Sequence, residues 1–180
     1  TIILVSNSIN INNIGTYYVL YTATDLCNNT SLPITYTVYV EDNTKPTIAF
    51  ADSSSVTLEV ITGIFSDTSF IVSDNYFEIS NISVTSISNN IDINSIGTYY
   101  VQYVATDLCN NTSLAITYTV YVEDNSKPII TLNGNSVIYL EVYSNYVEPG
   151  YNVSDNYDSS ENLNVNIISN LDISNLGIYT

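Results

Sequence analysis

Apolar and polar residues alternate along most of this chain, in short runs set apart by Ser, Asn, Asp and Gly. A period of two puts successive side chains on opposite faces of a β-strand, and the separating residues are those that turns favour. Between residues 46 and 127 the pattern predicts strands near Thr47–Ala51, Ser55–Val60, Ser69–Ser73, Ile82–Ser88, Thr98–Thr106 and Leu114–Val122, with a further short one at Ile91–Ile93. No stretch combines apolar residues at helical spacing with usable caps. In Thr98–Thr106 one face carries Tyr99, Val101, Tyr103 and Ala105; in Leu114–Val122 one face carries Leu114, Ile116, Tyr118, Val120 and Val122. Both stripes are expected to point inward, with Tyr100 and Tyr121 facing out. Asp107–Asn111 turns the chain between these strands, and Asn110-Asn111 tolerate the left-handed backbone such a turn needs.

The same pattern recurs. Residues 14–46 reappear as residues 96–128, 82 positions later, with only four differences: Leu20/Gln102, Thr22/Val104, Pro33/Ala115 and Thr44/Ser126. A third copy begins at Pro128. Self-similarity at a fixed period predicts an array of equivalent units. The period divides the sequence into residues 1–45 (the later part of one unit), 46–127 (a complete unit) and 128–180 (the earlier part of the next). A segment of a longer polypeptide has this form. So has a subunit that completes its last unit with the first strands of the next subunit through donor-strand pairing. Val-Glu-Asp-Asn-Thr/Ser-Lys-Pro separates the units; Pro46 and Pro128 fix one dihedral and hold the preceding Lys extended, so the connector is short and stiff.

Charge narrows the partners. The net charge is −16, with two Lys, no Arg and no His. Such a surface repels nucleic-acid phosphates and anionic lipid and attracts cations. No apolar run approaches the length of a membrane-spanning helix. Without His, neither a Ser-His-Asp nor a Cys-His constellation can be built; no Gly-rich phosphate loop is present, and the chain is not expected to be an enzyme. Cys27 and Cys109 occupy equivalent positions one period apart and do not pair with each other. Each reads as a half-buried thiol in a turn, or as a bridge to another chain. Sequons recur, including Asn29-Thr30-Ser31 and Asn111-Thr112-Ser113, as chance allows in a chain rich in Asn, Ser and Thr.

Pro128-Ile129-Ile130-Thr131-Leu132-Asn133-Gly134, Glu141-Val142, Pro149-Gly150 and Asp155-Asn156-Tyr157-Asp158 follow one another in the third copy. Gly97-Thr98-Tyr99 and Ala105-Thr106-Asp107 belong to the later part of the second. In this order the motifs resemble the bacterial immunoglobulin-like tandem repeat of surface proteins, also found in some pesticidal crystal proteins and related in style to hyalin repeats. The middle copy departs from that pattern in lacking Pro-Gly and in having Phe77 at the second Asp of the loop. The resemblance implies an all-β fold of tandem immunoglobulin-like β-sandwiches joined by short stiff linkers, an extracellular or cell- or virion-surface location, and scaffolding or adhesion without enzyme activity.

The acids fall at fixed places: Glu41, Asp42 and Asn43 in one connector and Glu123, Asp124 and Asn125 in the next; Asp74, Asn75 and Glu78, repeated as Asp155, Asn156, Asp158 and Glu161; and Asp25 and Asp107 after Ala-Thr. In an immunoglobulin-like sandwich the last two groups lie at the end where the preceding unit attaches. Glu41, Asp42, Asn43, Asp74, Asn75 and Asp107 would then converge. Five to seven oxygen donors on loops suit calcium, while the absence of His argues against zinc. The similarity to cadherins, which hold calcium between domains with an Ala-x-Asp loop and an Asp-Asn connector, points the same way. The alternative is that these Asp and Asn residues serve only as turn formers. The two Lys, in the connectors, are badly placed for an isopeptide cross-link.

Two functions follow. In the first, the chain is a structural segment of an extracellular filament, stalk or fibre, calcium-stiffened, whose partners are neighbouring repeats or copies of itself. In the second it is an adhesin that recognises glycan or protein through its loops, where Ala51–Ser80 and Leu132–Glu161 differ most between copies.

Overall fold

The computed structural model describes residues 2–180. Thr1, with which the first sequence unit opens, lies outside them. Eleven strands account for nearly all the regular structure: β1 (Ile2–Asn7), β2 (Gly15–Ala23), β3 (Ile34–Val40), β4 (Thr47–Phe50), β5 (Ser55–Glu59), β6 (Phe70–Ser73), β7 (Ser83–Asn89), β8 (Gly97–Thr106), β9 (Ile116–Glu123), β10 (Ile129–Leu132) and β11 (Tyr151–Ser154). The fold is all-β; the one helical element among the described residues is a 3₁₀ turn, Ile79–Asn81. Ile91–Ile93 forms no strand. The side chains of Asn89 and Asp92 cap the amides of Ile91 and Asn94 there, drawing the backbone into turns.

Strands β1, β2 and β3 form one antiparallel sheet in that order. A second sheet runs β5-β9-β8-β7, and β5 joins it parallel to β9, with Ser55 opposite Thr119 and Glu59 opposite Glu123. Strands β4 and β6 pair antiparallel, as do β10 and β11. The chain resolves into two compact units. One takes in residues up to Asp52 with Thr68–Ile87 and Gln102–Ile116; the other holds Ser53–Asp67, Ser88–Val101 and Thr117–Thr180. Residues of the 46–127 period fall in both.

The first unit contains the aromatic contact that buries β8. Phe50 of β4 and Phe70 of β6 lie over Tyr103, at ring-centroid distances of 6.5 Å and 4.8 Å. Tyr103 is 2 % exposed, and Ala105 on the same face is sealed with it. In the second unit Phe65 packs on Tyr118 of β9, and Val120 and Val122 are fully buried. Burial of each such side chain contributes about 1.5–3 kcal/mol. Tyr100 and Tyr121 face outward. Leu114 departs from the expected stripe: it is 83 % exposed, because β9 starts only at Ile116 and Ser113 holds the backbone of Leu114 in the preceding turn.

A local device recurs in each copy. The Tyr99 hydroxyl donates to the Ser95 carbonyl at 2.9 Å, Tyr17 to Asn13 at 2.9 Å and Tyr179 to Asn175 at 3.1 Å. Each ring folds back over the glycine two residues before it; a Cβ on Gly97 or Gly177 would come within 3.3 Å or 3.1 Å of the ring or its hydroxyl. The Gly-x-Tyr motif is thus a tyrosine corner whose ring occupies the space a side chain would need. Another device sits after β5, where Ile61 takes φ +67° and its amide bonds the Ile93 carbonyl; Tyr143, one period later, takes φ +63° and bonds Ile173. A β-branched residue in the left-handed region is strained.

Candidate metal centre

The turn after β8 is built around one carboxylate. Asp107 Oδ1 accepts from the Asn111 amide at 2.8 Å and Oδ2 from the Asn111 side chain at 2.9 Å. Asn110 takes φ +67° between them. Asp25 makes the same pair of bonds to Asn29 in the first copy, where Asn28 has φ 64°. There the side-chain amide of Asn29, then its backbone amide, hold the exposed Asp25 carboxyl below the usual aspartate range. The turn therefore forms the same way whether its aspartate is exposed, as at Asp25, or buried, as at Asp107 (5 % exposed).

What differs is what surrounds the turn. At Asp107 the Asn111 side chain also donates to the Asp42 main-chain carbonyl at 3.0 Å, tying the turn to the connector. Asp42, Asp74 and Asp107 each place a carboxylate oxygen within 4.8 Å of the others. Asp42 is 7 % exposed and Asp74 half-buried. Oδ1 of Asp42 accepts from the Thr44 amide, and Oδ1 of Asp74 from the amides of Tyr76 and Phe77. The Oδ2 atoms of both are sealed from solvent and have no hydrogen-bond partner among the described residues. Buried polar atoms are normally paired, and an unpaired carboxylate oxygen is costly. Glu41, Asn43 and Asn75, expected in the same gathering, are exposed and line an adjoining cleft of about 300 Å³ with Asp42 and Tyr76.

The second connector is arranged otherwise. Asp124, Asp155 and Asp158 also bring oxygens within 4.8 Å of one another, but Asp158 is exposed and the other two only half-buried. Their bonds serve local turns: Asp124 accepts from Ser126, and Asp155 from Tyr157 and Asp158. Glu59, at the end of β5, accepts from the Ser126 hydroxyl at 2.7 Å, the Asn125 amide at 3.0 Å and the Asn156 side chain at 2.9 Å. These donors, the Ser126 hydroxyl foremost, lower the Glu59 pKa. Desolvation and, more weakly, the charges of Asp155, Glu59 and Asp158 raise that of Asp124. Glu123 is exposed, and its carbonyl serves the Val60 amide.

Glu59 was not among the residues singled out from sequence. A signal was available, since Glu59-Val60 recurs as Glu141-Val142. The thiols of Cys27 and Cys109 are free and exposed, not half-buried, since each sits at the tip of its turn. Lys45 and Lys127 are exposed.

Comparison with known proteins supports an Ig-like surface domain. Residues 130–180 match the family described as bacterial surface protein, Ig-like domain. The chain is 30 % identical over 147 residues to hyalin of Strongylocentrotus purpuratus, covering 76 % of this chain and 12 % of that protein. It thus spans about an eighth of the length of that relative. Among solved structures it matches the fibronectin(III)-like modules of Clostridium thermocellum CbhA at 17 % identity, over 62 % of this chain and 64 % of that one, with a TM-score of 0.37. Among the described residues no helix is long and apolar enough to cross a membrane.

Proposed function

We propose that this chain is a spacing segment of an extracellular or surface protein, built of tandem immunoglobulin-like β-sandwiches whose short connectors keep successive repeats at a set angle. The observation that carries the reading is the block of residues 14–46 repeated at 96–128 with four differences, strands, turn and connector alike. A ligand-reading surface diversifies; a spacer repeats one shape. The Ig-like and hyalin matches support a surface location. Pro46, buried beside the connector acids, and the Glu59 bonds to Asn125, Ser126 and Asn156 support stiff joints, to which calcium at the aspartates adds. No catalysis is assigned to the chain, which has no His.

Small-angle scattering on the chain, and on a polypeptide extended by whole 82-residue periods, tests this. The maximum dimension should grow by a constant increment per added repeat. An increment that shrinks with repeat number, as for a flexibly jointed string, overturns the spacing role. Saturable retention of one glycan that is lost on exchanging residues 51–80 would favour the adhesin instead.

A further inference from the structure

The two acidic clusters look like copies of one another in sequence, yet only one has the features of a built ligand site. We infer that Asp42, Asp74 and Asp107 form a selective calcium site, and that the Asp124–Asp155–Asp158 cluster does not. This rests on the cation-stiffened part of the functional reading, not on the spacing role.

The argument starts from satisfied and unsatisfied oxygens. Turn formation accounts for both oxygens of Asp107, through Asn111, and for one oxygen each of Asp42 and Asp74. It does not account for Oδ2 of Asp42 or Oδ2 of Asp74. Both are buried, lack a donor, and belong to a group of three acids whose oxygens lie within 4.8 Å. Asp42 is more than nine-tenths buried, so water does not solvate its free oxygen. A fold that draws three carboxylates together and leaves two oxygens unpaired has placed acceptors where a positive charge would satisfy them. Neither lysine is enclosed there, since both are exposed. The donors are oxygen alone, which suits a hard divalent ion and excludes soft-metal chemistry. They come from a connector and two loops, and calcium accepts such irregular shells of 6–8 oxygens, with waters completing them, where magnesium demands a tight octahedron.

At the other cluster no side-chain oxygen of Asp124 or Asp155 is both buried and unpartnered among the described residues, and Glu59 accepts from the Asn125 amide, the Ser126 hydroxyl and the Asn156 side chain beside it. Asp158 is exposed and Asp124 and Asp155 only half-buried, so water and salt reach and partly screen the charge collected there.

Calcium titration of the full 180-residue chain, stripped with chelator, tests the assignment by calorimetry and by melting temperature. The expected result is one bound calcium and a melting temperature higher by on the order of 5–10 °C at a hundredfold excess over Kd. Asp42→Asn should weaken calcium binding by at least about tenfold while leaving the metal-free melting temperature unchanged or higher, because repulsion among the acids is relieved. Asp124→Asn should bind calcium as the unaltered chain does. If Asp42→Asn does not fold, Asp74→Asn, which keeps its Oδ1 acceptor, gives the same readout. No response up to about 10 mM calcium, well above the range of extracellular modules, overturns the site. So does an unchanged affinity in Asp42→Asn or Asp74→Asn, or a loss confined to Asp124→Asn. A magnesium response equal to that of calcium overturns the choice of ion. The scattering increment measured in chelator judges the spacing role separately.

Discussion

Residues 14–46 and 96–128 are close to the same sequence, and they are not in the same environment. Tyr118 is 7 % exposed, while its counterpart Tyr36 is 67 % exposed. Ala105 is sealed and Ala23 open. Tyr103 lies under Phe50 and Phe70, whereas Tyr21 has the edge of Tyr36 for company at 6.3 Å. What changes is the surroundings: β9 has β5 along its outer edge, and β3 is the edge of its sheet. Alternation fixes which face of a strand is apolar. Whether that face is a core depends on segments 33 to 64 residues away, Val56 opposite Val120 and Phe50 and Phe70 over Tyr103.

The largest test of that contrast is truncation of the paired tyrosines. Tyr103→Ala should destabilise the chain by about 3–5 kcal/mol in urea unfolding, as removal of a buried aromatic does. Tyr21→Ala should cost well under half as much. Equal costs would mean that the two copies are buried alike in solution. A subtler pair is Ser113 and Ser31. The Ser113 hydroxyl accepts from the Ala105 amide at 2.9 Å in a buried setting, and Ser31 accepts from Ala23 at 3.0 Å in an exposed one. Ser113→Ala strands a buried amide and should cost about 1–3 kcal/mol; Ser31→Ala, where water replaces the hydroxyl, should cost about 0.5 kcal/mol or less.

The tyrosine corners set the opposite expectation. Their geometry is the same in both copies, so Tyr99→Phe and Tyr17→Phe should each cost about 0.5–1.5 kcal/mol, and alike. A large difference would show that the corner borrows its strength from the core. The smallest effect is one of pH. Asp25 has its pKa lowered by Asn29. Its contribution is therefore complete above the unfolded value and is lost as pH falls through the lower folded value. A carboxyl NMR titration should place Asp25 below ordinary aspartate, and Asn29→Ala should return it towards that value.

Much of this architecture was legible in the sequence. The six main strands between residues 46 and 127 lie within two residues of their expected ends, because each is a clean period-two run between turn formers. The inward face of β8 was legible for the same reason. Leu114 was not, since it continues the alternation into residues that a serine hydroxyl holds in a turn. Of the six donors expected at the first connector, Asp42, Asp74 and Asp107 come together while Glu41, Asn43 and Asn75 stay exposed. Sequence gives the loop a residue sits on, but not the direction its side chain takes when a neighbouring amide is free to capture it. Glu59 escaped notice because it lies at the end of a strand, far in sequence from the connector it fastens.

The corners carry a further consequence, for the order in which the chain assembles. Tyr99 reaches back only four residues, and so does Tyr179, whose neighbours are nearly all in contact with solvent. Closing so small a ring sacrifices little chain freedom, whereas setting β5 beside β9 must first gather a loop of some sixty residues. The glycine–tyrosine clasps can therefore snap shut early and alike in each copy. They would give strands of near-identical sequence a local reason to stay with their own repeat before the distant, ambiguous pairings are chosen.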